Sequence, residues 1–219
     1  MIIQRSSFIL TSMKQVMSIP KFLLSKCAQL VACLVVGAWS IPATAQPDFS
    51  QVTIKTTEVT PGIYMLEGYG GNIGLSIGDD GVFLIDDQFA PLSDKIQQAI
   101  AALTDQPVRF LINTHWHIDH AGGNENFSLG GAIIVAHENV RERLQNGQFV
   151  VPFNANFPPA PELALPVVTF NQGITFHWNN DTLEVLHPAP AHTDGDAVIY
   201  FRNANVVHTG DLYWNASIR

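Results

Sequence analysis

One segment constrains this chain more than any other: Asn113-Thr114-His115-Trp116-His117-Ile118-Asp119-His120-Ala121-Gly122-Gly123. It puts three imidazoles and a carboxylate within six residues, directly after the run Val108–Asn113, which is apolar apart from Arg109 and its closing Asn113. Imidazole and carboxylate are donors that suit zinc. His115 and His117 are two residues apart, so in extended chain they project to the same side and can share one ion. Asp119 and His120 fall where the chain must turn, a turn that Gly122-Gly123 permits, and can aim at a second ion. A helix is expected to start near Gly123, where its first amides favour anions. Histidines scattered on a surface have no reason to sit between a buried strand and a Gly-Gly turn.

The rest of the pattern supplies a scaffold. Val52–Val59, Ile63–Glu67, Ile73–Ile77 and Val82–Asp86 are short, rich in β-branched residues and separated by Gly and Asp-Asp-Gly turns, which predicts an antiparallel meander. Leu92, Ile96, Ala99, Ile100 and Leu103 share one face of a predicted helix over Leu92–Leu103. Val108–Asn113 and Ile133–Ala136 follow as strands and Glu138–Gln145 as a short helix. Phe149–Pro166, with its five prolines, is expected to be a surface loop. Strands resume at Ile174–Trp178, Leu183–Leu186, Ala197–Phe201 and Val206–His208. A meander, then alternating helix and strand, then strands again suits a layered α/β fold with mixed sheets.

The first 45 residues read as something other than domain. They hold Arg5, Lys14, Lys21 and Lys26 and no acidic residue, then an apolar run, Ala28–Trp39, and then Ala43-Thr44-Ala45. That order describes a secretory signal peptide over residues 1–45, with translation starting at Met1, Met13 or Met17. The run is far shorter than the roughly 20 residues that span a bilayer, so no stable membrane anchor is expected after cleavage. A mature chain over 46–219 contains neither Cys27 nor Cys33, which excludes disulfides and thiolate ligands. Seven basic residues then face 19 acidic ones, a net charge of −12 that disfavours nucleic acid as a partner. The expected location is secreted or periplasmic and the expected partner a small-molecule substrate.

Two further segments complete a donor set. Pro188-Ala189-Pro190-Ala191-His192-Thr193-Asp194-Gly195-Asp196 carries a histidine in a tight loop before a strand, and His208-Thr209-Gly210-Asp211 carries a carboxylate at a strand end. His115, His117, Asp119, His120, His192 and Asp211 together resemble the metallo-β-lactamase superfamily. The resemblance covers roughly Gly62–Leu212. It implies a four-layer αββα sandwich and two zinc ions, the first held by His115, His117 and His192, the second by Asp119 and His120, with Asp211 bridging. Asp86 matches a carboxylate that supports the site from behind. The family continues past the aspartate to a last histidine for the second zinc. Leu212–Arg219 holds none, so the resemblance implies a domain incomplete at its C-terminus. His208, three residues before Asp211, is expected to point away, and His137, His177 and His187 lie outside the motifs.

The activity so implied is zinc-dependent hydrolysis of an ester, thioester, lactone or β-lactam by a metal-activated water, with Asp119 as the catalytic carboxylate. The absence of cysteine from a mature chain over 46–219 agrees with a water nucleophile. The bridging aspartate resembles thioesterase, lactonase, sulfatase and phosphodiesterase members, whereas export suits a periplasmic β-lactamase. Two other readings accompany it: an iron-dependent oxidoreductase on the same motif, and a non-catalytic metal-binding product of a truncated gene.

Overall fold

The computed structural model describes residues 48–150, 154–189 and 191–213; the signal-peptide reading falls outside these residues. Thirteen strands and four α-helices are present among them. The meander forms as the turns predict: β1 (Lys55–Thr60), β2 (Ile63–Glu67), β3 (Ile73–Gly78) and β4 (Gly81–Ile85) pair antiparallel in sequence. The helix α1 (Ser93–Ala101) then returns the chain to β5 (Val108–Ile112), which lies parallel to β4. The short helices α2 (Ile118–Ala121) and α3 (Asn124–Leu129) precede β6 (Ile133–His137), parallel to β5, and α4 (Glu138–Asn146) follows it.

The proline-rich stretch is not the plain loop expected. It holds a small hairpin, β7 (Gln148–Val150) with β8 (Ala155–Phe157), and leads to β9 (Val168–Phe170), which extends the large sheet beyond β6 to a seventh strand. Pro158, Pro159, Pro161 and Pro166 stand between or beside these strands, so they remove no ladder donor from them. The remaining strands, β10 (Gly173–Trp178), β11 (Asp181–Leu186), β12 (Val198–Phe201) and β13 (Val206–His208), form a second, antiparallel sheet in chain order.

Strand β4 shows how the layers assemble. Val82 and Leu84 face one way, into a core with Leu92, Ile96 and Ile100 of the α1 segment and Phe127 of α3. Phe83 and Ile85 face the other, into a core with Leu183, Val185, Ile199 and Phe201 of the small sheet. A strand buried on both faces must be apolar throughout, which is why Gly-Val-Phe-Leu-Ile does not alternate. Helices on the large sheet, and that sheet on the small one, give three layers of the sandwich. Among the described residues no helix covers the outer face of the small sheet, where His177 and Leu186 are exposed. None of the described helices is long and apolar enough to cross a membrane.

Candidate metal centre

The site gathers where β4, β5, β11 and β13 end. In α/β sheets the C-terminal ends of parallel strands diverge into loops and leave room for a ligand. Asp86 follows β4 with φ 63°, an unusual value for a residue other than glycine or asparagine. That turn sends a fully buried carboxylate under the histidine segment. Its Oδ1 accepts from the Thr114 amide at 2.7 Å, and its Oδ2 accepts from the Thr114 hydroxyl and from His120 Nδ1, each at 2.7 Å. The Thr114 oxygen in turn accepts from His115 Nδ1 at 3.1 Å. One carboxylate therefore fixes two imidazoles with their Nε2 lone pairs turned away from it, a usual way of orienting metal-binding histidines.

Those lone pairs converge. His117 Nδ1 lies 3.0 Å from His115 Nε2 and 2.9 Å from His192 Nε2. Three donors at the corners of a zinc tetrahedron stand roughly 3.3 Å apart for bonds of about 2.05 Å, so the arrangement is close to that of ligands around one ion. His115, His120 and Asp211 form a second group of three donors sharing His115. His120 Nε2 is buried and makes no hydrogen bond of acceptable geometry, although Asp211 Oδ1 is 3.1 Å away. A buried lone pair facing a carboxylate with nothing between is unfavourable unless a cation or a proton joins them. Asp211 Oδ2 reaches to 3.5 Å from His192 Nε2, so this carboxylate spans both groups.

Of the six residues expected from the sequence, five thus fall into two adjoining donor groups. Asp119 stands beside them, its Oδ2 3.6 Å from His120 Nε2 and its side chain 32% exposed. His208 belongs to neither group: its Nε2 donates to the Asn72 carbonyl at 3.0 Å, and its Nδ1 accepts from the Gly210 amide at 3.2 Å. His137 is engaged in the same way by Asn171 and Asn139, His187 donates to the Asp196 carbonyl, and His177 is exposed.

Without metal the electrostatics are polarised. Burial drives His115 far below the ordinary histidine range, reinforced by His120 and His117. Burial and His192 lower His117 as well. For His120, burial opposes the charged form but Asp86, Asp211 and Asp119 outweigh it and push the pKa up to about 10. Asp211, raised by burial but lowered more by the His120 ring beside it and by the neighbouring imidazoles, stays an anion. The first group thus offers neutral nitrogens, and the second must shed a proton before a metal can bind.

Several positioning residues carry no signal in the sequence. Asn113 and Asn124 exchange reciprocal amide bonds of 2.9 Å beneath the histidine segment, and Asn113 also donates to the His120 carbonyl at 3.3 Å. Asp87, fully buried, donates its amide to that carbonyl at 3.0 Å and accepts from the Gly123 amide at 2.9 Å. Asp196 builds the His192 loop by accepting from the amides of His192 and Thr193, each at 2.9 Å, and from the Thr193 hydroxyl at 2.6 Å.

The glycines work by size. Gly122 and Gly123 have φ of −71° and −85°, open to any residue, so the turn does not need their flexibility as the sequence suggests. A Cβ at Gly122 would lie 2.4 Å from the Ile118 carbonyl oxygen, and one at Gly71 would lie 2.1 Å from the His120 ring. The helix expected from near Gly123 is the six-residue α3, too short to offer an anion site, and the four residues of α2 carry Asp119 and His120.

A model of the metallo-beta-lactamase superfamily matches residues 66–218, and the chain belongs to that superfamily. Among solved structures it is similar to a subclass B3 metallo-beta-lactamase of Bradyrhizobium japonicum, with TM-score 0.59, 22% identity, and 70% of this chain and 59% of that chain covered. A class B3 di-zinc metallo-beta-lactamase from an Alaskan soil metagenome gives TM-score 0.61 at 19% identity, with 73% and 61% covered. These likenesses show the fold, a layered α/β sandwich of the metallo-beta-lactamase type. By sequence the chain is 29% identical over 157 residues to the 2,4-dinitroanisole O-demethylase subunit alpha of a Nocardioides species, covering 62% of this chain and 41% of that protein. It spans about two fifths of the curated relatives it matches and about three fifths of the solved structures.

Proposed function

We propose that this chain is a zinc-dependent hydrolase acting on an ester, thioester, lactone or β-lactam, with His115, His117 and His192 holding one ion and His120, Asp119 and Asp211 holding a second. The observation that carries the reading is the meeting of three imidazole nitrogens within 3.0 Å steps, joined through Asp211 to a buried His120 Nε2 that has no hydrogen bond. The donor set is nitrogen and carboxylate without thiolate, which suits zinc. Bound there, zinc supplies a water of lowered pKa, down from about 16 to about 7, and polarises the group under attack.

The chain's own residues do the rest. Asp86 holds His120 and, through Thr114, His115 in the tautomers that present Nε2. Asp119, partly exposed at the first turn of α2, is placed to accept the proton of the attacking water at Oδ2 and pass it to the leaving group. No side-chain nucleophile is required.

The same reading takes the chain as exported, with its mature form beginning at Gln46; N-terminal sequencing that found residues upstream of Ala45 would refute this. The central test is metal analysis of the purified full-length protein together with hydrolysis of one representative of each substrate class. Zinc near two per chain with turnover of at least one class is the expected result. Iron near one per chain would overturn it in favour of redox chemistry.

A further inference from the structure

Beside the donor groups, the loop between β2 and β3 reads Gly68-Tyr69-Gly70-Gly71. Its glycines let it lie directly on the metal centre. A Cβ at Gly70 would sit 2.7 Å from Asp119 Cβ and 3.2 Å from Phe89 Cε2, so the Phe89 ring edge and Asp119 flank the same backbone atom. Gln88 fixes the loop from below, donating to the Gly71 carbonyl at 2.6 Å and accepting from the Tyr69 amide at 3.3 Å. Tyr69 is thereby held at the rim. Its ring centroid is 5.6 Å from Phe49, edge to face, and 5.8 Å from Phe89, and those two are 5.1 Å apart. Phe49 and Phe89 are half-buried, but Tyr69 remains 46% exposed, as does Ile118, next to Asp119, at 45%. Three rings in mutual contact, one of them half exposed beside the polar donor groups, offer a surface for another ring.

The cations of the chain point to the same occupant. Lys95 donates to the carbonyls of Phe49, Ser50 and Val52. Lys55 pairs with Glu67 and Arg202 with Glu184. Arg141 is bonded to the Pro166 carbonyl. Arg143, in α4, is taken up by Asp194 of the His192 loop at 2.6 Å. Arg109 lies in β5 against Gly81, at the start of β4 and so at the far end from the site. Among the described residues no cation is left at the mouth to receive a substrate carboxylate.

We propose that the site takes a neutral aromatic substrate, an uncharged aryl ester or its near equivalent, with the aryl group on Tyr69 and the scissile carbonyl over the donor groups. The proposal rests on the hydrolase reading above. In the step itself the water oxygen bonds to the acyl carbon and the acyl–oxygen bond to the aryl group breaks. Asp119 relays the water's proton to the departing phenolate, giving a carboxylic acid and a phenol.

The test uses the zinc-loaded full chain with phenyl acetate, 4-carboxyphenyl acetate and methyl acetate, and the metal-free chain with phenol alone, observed by saturation-transfer NMR. Phenyl acetate should exceed its carboxylated analogue by about tenfold in kcat/KM. Tyr69→Ala should raise the KM for phenyl acetate by about tenfold, the order expected for one ring contact and the area it covers, and Tyr69→Phe should not. Phenol should receive saturation from the parent chain and from Tyr69→Phe but not from Tyr69→Ala. If no ester is hydrolysed while phenol binding follows this pattern, the hydrolase reading falls and the aromatic surface stands. Preference for the carboxylated ester, or phenol binding unchanged in Tyr69→Ala, overturns the proposal.

Discussion

Replacing Asp86 by asparagine should damage zinc binding without touching any proposed ligand. The carboxylate accepts three bonds of 2.7 Å, two of them on Oδ2 from the Thr114 hydroxyl and His120 Nδ1. An amide cannot accept on both sides. If its oxygen takes the Thr114 amide, its NH2 faces two donors, and relief requires His120 to move its proton to Nε2, the atom meant for the metal. If it is flipped, the NH2 meets the Thr114 amide instead. Either way one buried donor is orphaned, at about 1–3 kcal/mol, which is about 3–10 °C of melting temperature for a domain of this size. Losing such an orienting partner costs zinc affinity about 10–100-fold. The second donor group should suffer more, because His120 belongs to it alone, whereas His115 is linked to Asp86 only through Thr114. Zinc titration of metal-free protein against a competing chelator reads both constants. Equal weakening of the two, or none, would refute the view that Asp86 acts through the histidine tautomers.

His117→Ala should abolish hydrolysis and remove at least one zinc per chain, whereas His177→Ala, exposed on β10, should leave the metal content unchanged; equal loss by metal analysis would mean the ligand set is wrong. Gly71→Ala should lower zinc affinity of the second group at least tenfold, because its methyl would occupy the His120 ring position; normal stoichiometry in the same titration would contradict this. In metal-free protein the raised pKa of His120, about 10 against an ordinary 6.5, means its charge stabilises the fold fully below about pH 6.5, a contribution lost as pH rises through 10. Urea midpoints of the metal-free chain should therefore be higher at pH 7 than at pH 10, and zinc uptake by the second group at pH 8 should release a proton; no proton release by a pH indicator would count against the assignment.

The candidate donors were legible because their chemistry is concentrated and local: imidazoles two apart after an apolar strand leave few other readings. The meander and α1 were legible from turn residues and periodicity, and Ile63–Glu67 and Val206–His208 are strands to the residue. What stayed hidden depends on neighbours distant in sequence. The strand β9 is three residues long and becomes a strand only by lying on β6, so no local period marks it. Asp87 and Asn124 look like turn polar residues until the histidine segment folds over them. Gly122 suggests a turn made possible by backbone freedom, because a glycine in a sequence does not say whether it serves that freedom or lack of bulk.

The donors come from both halves of the sandwich. His115, His117 and His120 follow a strand of the large sheet, and His192 and Asp211 follow strands of the small one. An ion held by both sets is therefore a rivet as well as a reactant site, closing a loop that runs from residue 115 past residue 190. A cross-link over so long a stretch restricts the unfolded chain and adds its binding free energy to the folded state. Chelators should accordingly shorten the lifetime of the native state as well as silence it, and losing the ion should first loosen the seam between the two sheets.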